Sequence, residues 1–207
     1  MSTNWYGNPL LDNWAETSTQ FVESALTVNR AAVQAWNLPS SGSEESTAEP
    51  SIDQIEPAAE LPEWHSETSA DDPTELTVGD YFEFTKTISD EDIRRFAAAS
   101  GDTNPLHLDD EFAEKTRFKG RIAHGTLVGG LISAALARIP GLVIYLSQDL
   151  EFHNPVRVGD RVTAECEIIE DLGNNQYRLQ TRVVDGEKTA IDGEAVVLVE
   201  DVSEDDD

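Results

Sequence analysis

One cysteine and one methionine occur in the 207 residues, and lysine appears only at 86, 115, 119 and 188. Cys166 alone cannot close an internal disulfide, which fits a reducing compartment such as the cytoplasm. Positive charge is the larger deficit: 14 Lys+Arg stand against 41 Asp+Glu, a formal net charge of −27. A nucleic-acid binder needs a basic face to replace counterions on phosphates, so that class is excluded. Anionic membranes are disfavoured on the same ground. No apolar run of about 18 residues is present, so no transmembrane segment is expected. The opening MSTNWYGNPLLDNW has neither a basic nor an apolar stretch of the kind that makes a secretory signal.

The acidity is spread along the chain. Residues 1–75 carry 14 acids and one base, a net of −13, and residues 76–207 carry 27 acids and 13 bases, a net of −14. Tails therefore explain only half of it. A folded part this acidic repels itself at low ionic strength. Molar salt shortens the Debye length to about 3 Å and removes most of that repulsion. A halophilic source with a salty cytoplasm is the expectation.

Four regions follow from composition. Residues 1–39 hold an amphipathic helix: Leu11, Trp14, Ser18, Phe21, Ala25, Val28, Ala32 and Ala35 repeat at 3,4 spacing between Pro9 and Pro39. Residues 40–75, with 11 acids, four prolines and no Lys or Arg, read as an acidic disordered linker in which Leu61 and Trp64 dock locally at most. Residues 76–202 read as the folded domain, and 203–207 as an acidic tail. In that domain TVGDYFEFTKTIS has strand character, and Ser89 with Asp92 three residues on forms a capping box for a helix ending near Gly101. A short acidic helix near 109–116 follows. Residues 125–138 are apolar nearly all round, as a buried helix is. Four strand-like runs separated by turn signals complete the chain. The pattern is α+β, an antiparallel sheet wrapped around a central helix.

Two segments carry chemistry. In Gly101-Asp102-Thr103-Asn104-Pro105-Leu106-His107, Pro105 disfavours helical geometry at Asn104 and leaves Asp102 and His107 on a loop. A carboxylate and an imidazole sharing one water can polarise it and move its proton. The same residues also suit a structural turn. The second segment, Arg121-Ile122-Ala123-His124-Gly125-Thr126, leads into the apolar helix. Unpaired backbone N–H groups at a helix start can meet an oxyanion, and glycine lets a ligand carbonyl approach its amide. His124 reads as a structural neighbour of that turn. Just upstream, Lys115, Arg117, Lys119 and Arg121 form a local positive island. It either holds phosphates or pairs with Asp109, Asp110, Glu111 and Glu114.

These two segments, with Gln148-Asp149-Leu150-Glu151-Phe152-His153-Asn154-Pro155-Val156-Arg157-Val158-Gly159-Asp160 further on, resemble the MaoC-like (R)-specific enoyl-CoA hydratases, including those that supply polyhydroxyalkanoate synthesis. The resemblance covers about residues 76–200. It implies a single hot-dog domain, a homodimer with the active site at its interface, an acyl-CoA substrate, and no metal or cofactor beyond the CoA of the substrate. It implies Asp102 and His107 as the catalytic pair and the Gly125 amide as the ligand of the thioester oxygen. It implies Asn104 as a support of the loop and Ser133 on the acyl pocket; the expected substrate-binding residues are Asn104, Ser133, Lys119 and Arg121, the two bases for the CoA phosphates. Thr126 departs from the Met that many of those hydratases have. Residues 8–36 are similar to the amphipathic helices of phasins, implying a polyester granule or a phasin-like partner. Two other readings share these residues: a hot-dog acyl-CoA thioesterase, and a non-catalytic acyl-CoA-binding or granule-coating protein. The Asp-x4-His loop followed by the His-Gly turn favours hydration, and the intact pair argues against a non-catalytic role.

Overall fold

The computed structural model describes residues 55–201. The expected helix of residues 1–39, the start of the linker and the tail 203–207 lie outside the described residues.

Six antiparallel strands form one sheet in the order β1-β2-β4-β5-β6-β3. They are β1 (His65–Thr68), β2 (Tyr81–Thr87), β3 (Leu142–Phe152), β4 (Arg161–Gly173), β5 (Gln176–Asp185) and β6 (Lys188–Glu200). Alternate side chains go to opposite faces of a strand, and the core takes one set. Phe82 and Phe84 of β2, Val162, Ala164, Cys166 and Ile168 of β4, and Leu179 and Val183 of β5 are all buried. The turn signals act where the sequence puts them. Asn174 and Asn175 hold left-handed φ of 53° and 59° in the tight β4–β5 connection.

Four helices lie in the β2–β3 crossover: α1 (Asp90–Ser100), α2 (Pro105–Leu108), α3 (Asp110–Glu114) and α4 (Gly125–Leu136). The capping box of α1 forms as expected. Ser89 Oγ accepts from Asp92 N at 3.1 Å, and Ser89 N donates back to Asp92 Oδ2 at 2.8 Å. Gly101 ends the helix in the left-handed conformation, φ 77°. Helix α4 packs against the sheet with Val128, Leu131, Ile132, Ala135 and Leu136 buried. Each such aliphatic side chain contributes about 1.5–3 kcal/mol on leaving water, Ala less.

Two expectations need correction. The acidic linker does not run to residue 75. β1 pairs with β2, Ser66 opposite Phe84. The Trp64 ring meets Phe84 edge-on at 5.4 Å, and Arg138, over the same Phe84 ring, donates to Ser66 Oγ and to Glu60. The segment has too few apolar side chains for a core of its own, and instead adds to the edge of a core that exists without it. Nor is α4 buried all round: Gly125, Thr126, Gly130 and Ser133 are exposed. Their small side chains leave little apolar area on that side.

Candidate active site

Pro105 begins α2 at its first turn, and the Asn104 side chain caps it, accepting from Leu106 N at 3.0 Å. His107 thus sits on a one-turn helix and not on a loop, while Asp102 stays on the loop before it. This corrects the expectation of a loop at His107. Pro excludes helix from the residue before it but is well suited to the first helical position. Asn104, expected to bind substrate, has its side-chain oxygen committed to this cap.

The Asp102 loop is tied locally. Asp102 Oδ1 accepts from Asn104 N at 3.2 Å, and Asp102 N donates to Ser100 Oγ at 3.1 Å. His107 is buried, and its Nδ1 lies 2.8 Å from Ile122 O. A carbonyl oxygen only accepts, so Nδ1 carries the hydrogen and Nε2 keeps its lone pair. One donor atom each of Asp102, His107 and His124 lies within 4.8 Å of the others. The pair singled out in the sequence is therefore brought together, a buried imidazole near an exposed carboxylate.

His124, read from the sequence as a structural neighbour of the turn, packs directly on the pair. It is 1% exposed, tilt-stacked on His107 with ring centroids 3.9 Å apart and in contact with Phe96. Its Nε2 donates to the Asp102 backbone oxygen at 3.0 Å. One imidazole thereby touches both members of the pair. It is also the N-cap of α4 and gives no side-chain cap to that helix. The amides of the first turn, Gly125 foremost, are left for a ligand oxygen. A Cβ at 125 would stand 2.7 Å from the exposed Phe152 ring, which would have to turn aside.

The positive island survives only in part. Arg121 is 11% exposed at its side chain and bonded to Asp90 at 2.6 Å and Asp110 at 2.8 Å. The Asp90 hydrogen bond, against burial, raises its pKa. Arg121 is a buried tie between α1 and α3, and is not free to hold phosphate. Lys119 is exposed, its Nζ only 3.5 Å from Glu114 O. Arg157, which the sequence did not single out, joins it: its Nη2 donates to Phe118 O at 2.7 Å. Thr126 lines a groove of about 340 Å³ with Trp64, Phe84, Phe96, Leu127 and Leu131, and Ser133, also exposed, does not line it. Burial pushes the Cys166 thiol to about 12, so it supplies no thiolate nucleophile.

Comparison with known proteins agrees with this architecture. The model of the MaoC like domain matches residues 74–194. An (R)-specific enoyl-CoA hydratase of Rhodospirillum rubrum is 45% identical over 117 residues, 55% of this chain and 81% of that protein. The (R)-specific enoyl-CoA hydratase of Aeromonas caviae is 43% identical over 126 residues, 59% of this chain and 94% of that protein. Among solved structures, R-hydratase PhaJ1 from Pseudomonas aeruginosa superposes with a TM-score of 0.60 at 43% identity, covering 66% of this chain and 90% of that one. The (R)-hydratase from A. caviae involved in PHA biosynthesis gives 0.59 at 40% identity, covering 61% and 98%. With the family model spanning residues 74–194 and relatives at 43–45% identity, the chain is a member of the MaoC-like domain family.

Proposed function

We propose that this chain is an (R)-specific enoyl-CoA hydratase, a hydro-lyase that reversibly adds water to trans-2-enoyl-CoA to give (R)-3-hydroxyacyl-CoA. The observation that carries the reading is the Asp102 carboxylate beside a His107 whose Nδ1 is already spent on Ile122 O, next to the uncapped start of α4. Water is a poor nucleophile at neutral pH and needs a base within about 3 Å. Asp102 and His107 Nε2 hold one water between them. His107 Nε2 takes a proton as the water oxygen bonds to C3. The C2–C3 π electrons move toward the thioester, and the charge on its oxygen is met by the Gly125 amide. A proton returns to C2 from the same face through the Asp102 carboxylate, so both hydrogens of the water end in the product. The acyl chain runs past Ser133 on the open side of α4, and a second copy covers that side. Sedimentation at twice the protomer mass is expected for this homodimer, and a monomer would contradict it.

Lys119 and Arg157 hold the CoA phosphates, in place of the pair Lys119 and Arg121. The product is a monomer for polyhydroxyalkanoate synthesis in the cytoplasm, and residues 10–36 address the enzyme to the polyester granule. The test is absorbance of the conjugated enoyl thioester with crotonyl-CoA in high salt. Bleaching without free thiol supports hydration. Release of free CoA replaces this reading with a thioesterase, and no change with crotonyl- or longer enoyl-CoA leaves a binding protein.

A further inference from the structure

We propose that Asp102, His107 and His124 also form a binding site for a divalent transition-metal ion of borderline softness, and that filling it stops hydration. The switching part rests on the hydratase reading; the binding part does not.

The argument starts from an acceptor with nothing to accept. His124 Nε2 faces a carbonyl oxygen, so it must carry the ring hydrogen, and Nδ1 keeps a lone pair. That Nδ1 is buried and has no hydrogen-bond partner among the described residues. His107 Nε2 is a second lone pair by the same logic, and the Asp102 carboxylate is a third electron donor. One atom of each residue lies within 4.8 Å of the others. A single water has two hydrogens and cannot serve three acceptors; a cation can.

The surroundings fit a metal in particular. Imidazoles that bind metals donate their other ring N–H to a carbonyl or carboxylate, which fixes tautomer and orientation. Both histidines do this, to Ile122 O and Asp102 O. Two imidazoles and one carboxylate suit Zn²⁺, Co²⁺ or Fe²⁺ and not Mg²⁺ or Ca²⁺, which prefer oxygen. Ligand atoms about 2.0–2.1 Å from a tetrahedral zinc stand roughly 3.3 Å apart. The exposed Asp102 side chain on its loop can close in, and the two rings, 3.9 Å apart between centroids, spread by about 1 Å to bring both nitrogens onto one tetrahedral ion. A metal on His107 Nε2 takes the lone pair that would accept the proton of the water, and so removes the base.

The full chain, stripped with a chelator, is titrated with Co²⁺ by ligand-field absorption and with Zn²⁺ by calorimetry, Mg²⁺ being present in excess to occupy surface carboxylates. One ion per protomer is expected. Affinity should fall at least about tenfold in Asp102→Asn and in His107→Gln. It should be unchanged in Glu83→Gln, a carboxylate on the outer sheet face. Asp102 is exposed, so its variant keeps the fold even where a change at buried His124 does not. Hydration of crotonyl-CoA should fall in step with occupancy and return with EDTA. Binding that is not saturable at one per protomer, or that is equal in all variants, overturns the site. Saturable binding with hydration unchanged or raised overturns the switch. A chelated enzyme that does not hydrate contradicts the hydratase reading instead, while the Co²⁺ spectrum still judges the site.

Discussion

In the proposed reaction Asp102 and His107 share one water, so their effects should not add. Asp102→Asn and His107→Gln should each lower kcat by at least about 10²-fold, the usual range for general acid–base groups. The double variant should be little worse than either. A single variant with near-full activity would make the pair a structural turn. Glu at 119 and 157 together should raise KM more than it lowers kcat, since groups on the CoA phosphates hold substrate and transition state alike. The effect belongs to the lowest salt at which the fold persists, and an unchanged KM would leave the island without a role in binding. At this scale the sequence was legible where chemistry is local. Asp102 and His107 are five positions apart, and the His-Gly turn announces an uncapped helix. It was not legible where commitment depends on distant partners. Arg121 looks free until Asp90, 31 residues away, is found on its guanidinium. The double attachment of His124 requires the 22-residue closure to Asp102 O.

Helix α1 could be read nearly to the residue because its signals, Ser89, Asp92 and Gly101, lie within it. β1 could not. Four residues in an acidic, proline-rich stretch make a strand only because β2 offers an open edge, Phe84 packs on Trp64 and Arg138 bonds Ser66. The true start of the domain follows from that contact. A chain beginning at Glu56 should keep the melting temperature and turnover of the full protein and lose co-sedimentation with polyester granules. A chain beginning at Asp72 should be less stable, as should Trp64→Ala by about 3 kcal/mol, the low end for truncating a large aromatic. Denaturant unfolding of the three proteins checks this. Equal stability from Asp72 would make β1 an ornament, and retained co-sedimentation from Glu56 would remove the granule role of residues 10–36.

The whole molecule carries its charge into the sheet. Glu67, Glu83 and Glu165 stand opposite one another on β1, β2 and β4. Like charges facing across strands are destabilising. Burial first, then the charges of Glu165 and Glu67, raises the pKa of Glu83. A carboxyl whose pKa is raised by folding costs stability once ionised, and the cost disappears as pH falls through its folded value. Glu83→Gln should accordingly raise the melting temperature in low salt at neutral pH, with the gain shrinking at acid pH and between about 0.1 and 2 M KCl. The wild-type melt should rise over the same KCl range; a melt independent of KCl would contradict the account. The total charge was plain from composition, but which acids face one another depends on strand register, which composition does not contain. The central claim, same-face addition of water to an enoyl thioester, is tested most directly by hydrating crotonyl-CoA in D₂O and determining the product's configuration and deuterium content. The account predicts (R)-3-hydroxybutyryl-CoA with one deuterium at C2, placed on the face that receives the hydroxyl. Free CoA, the (S) product, or deuterium on the opposite face would contradict it.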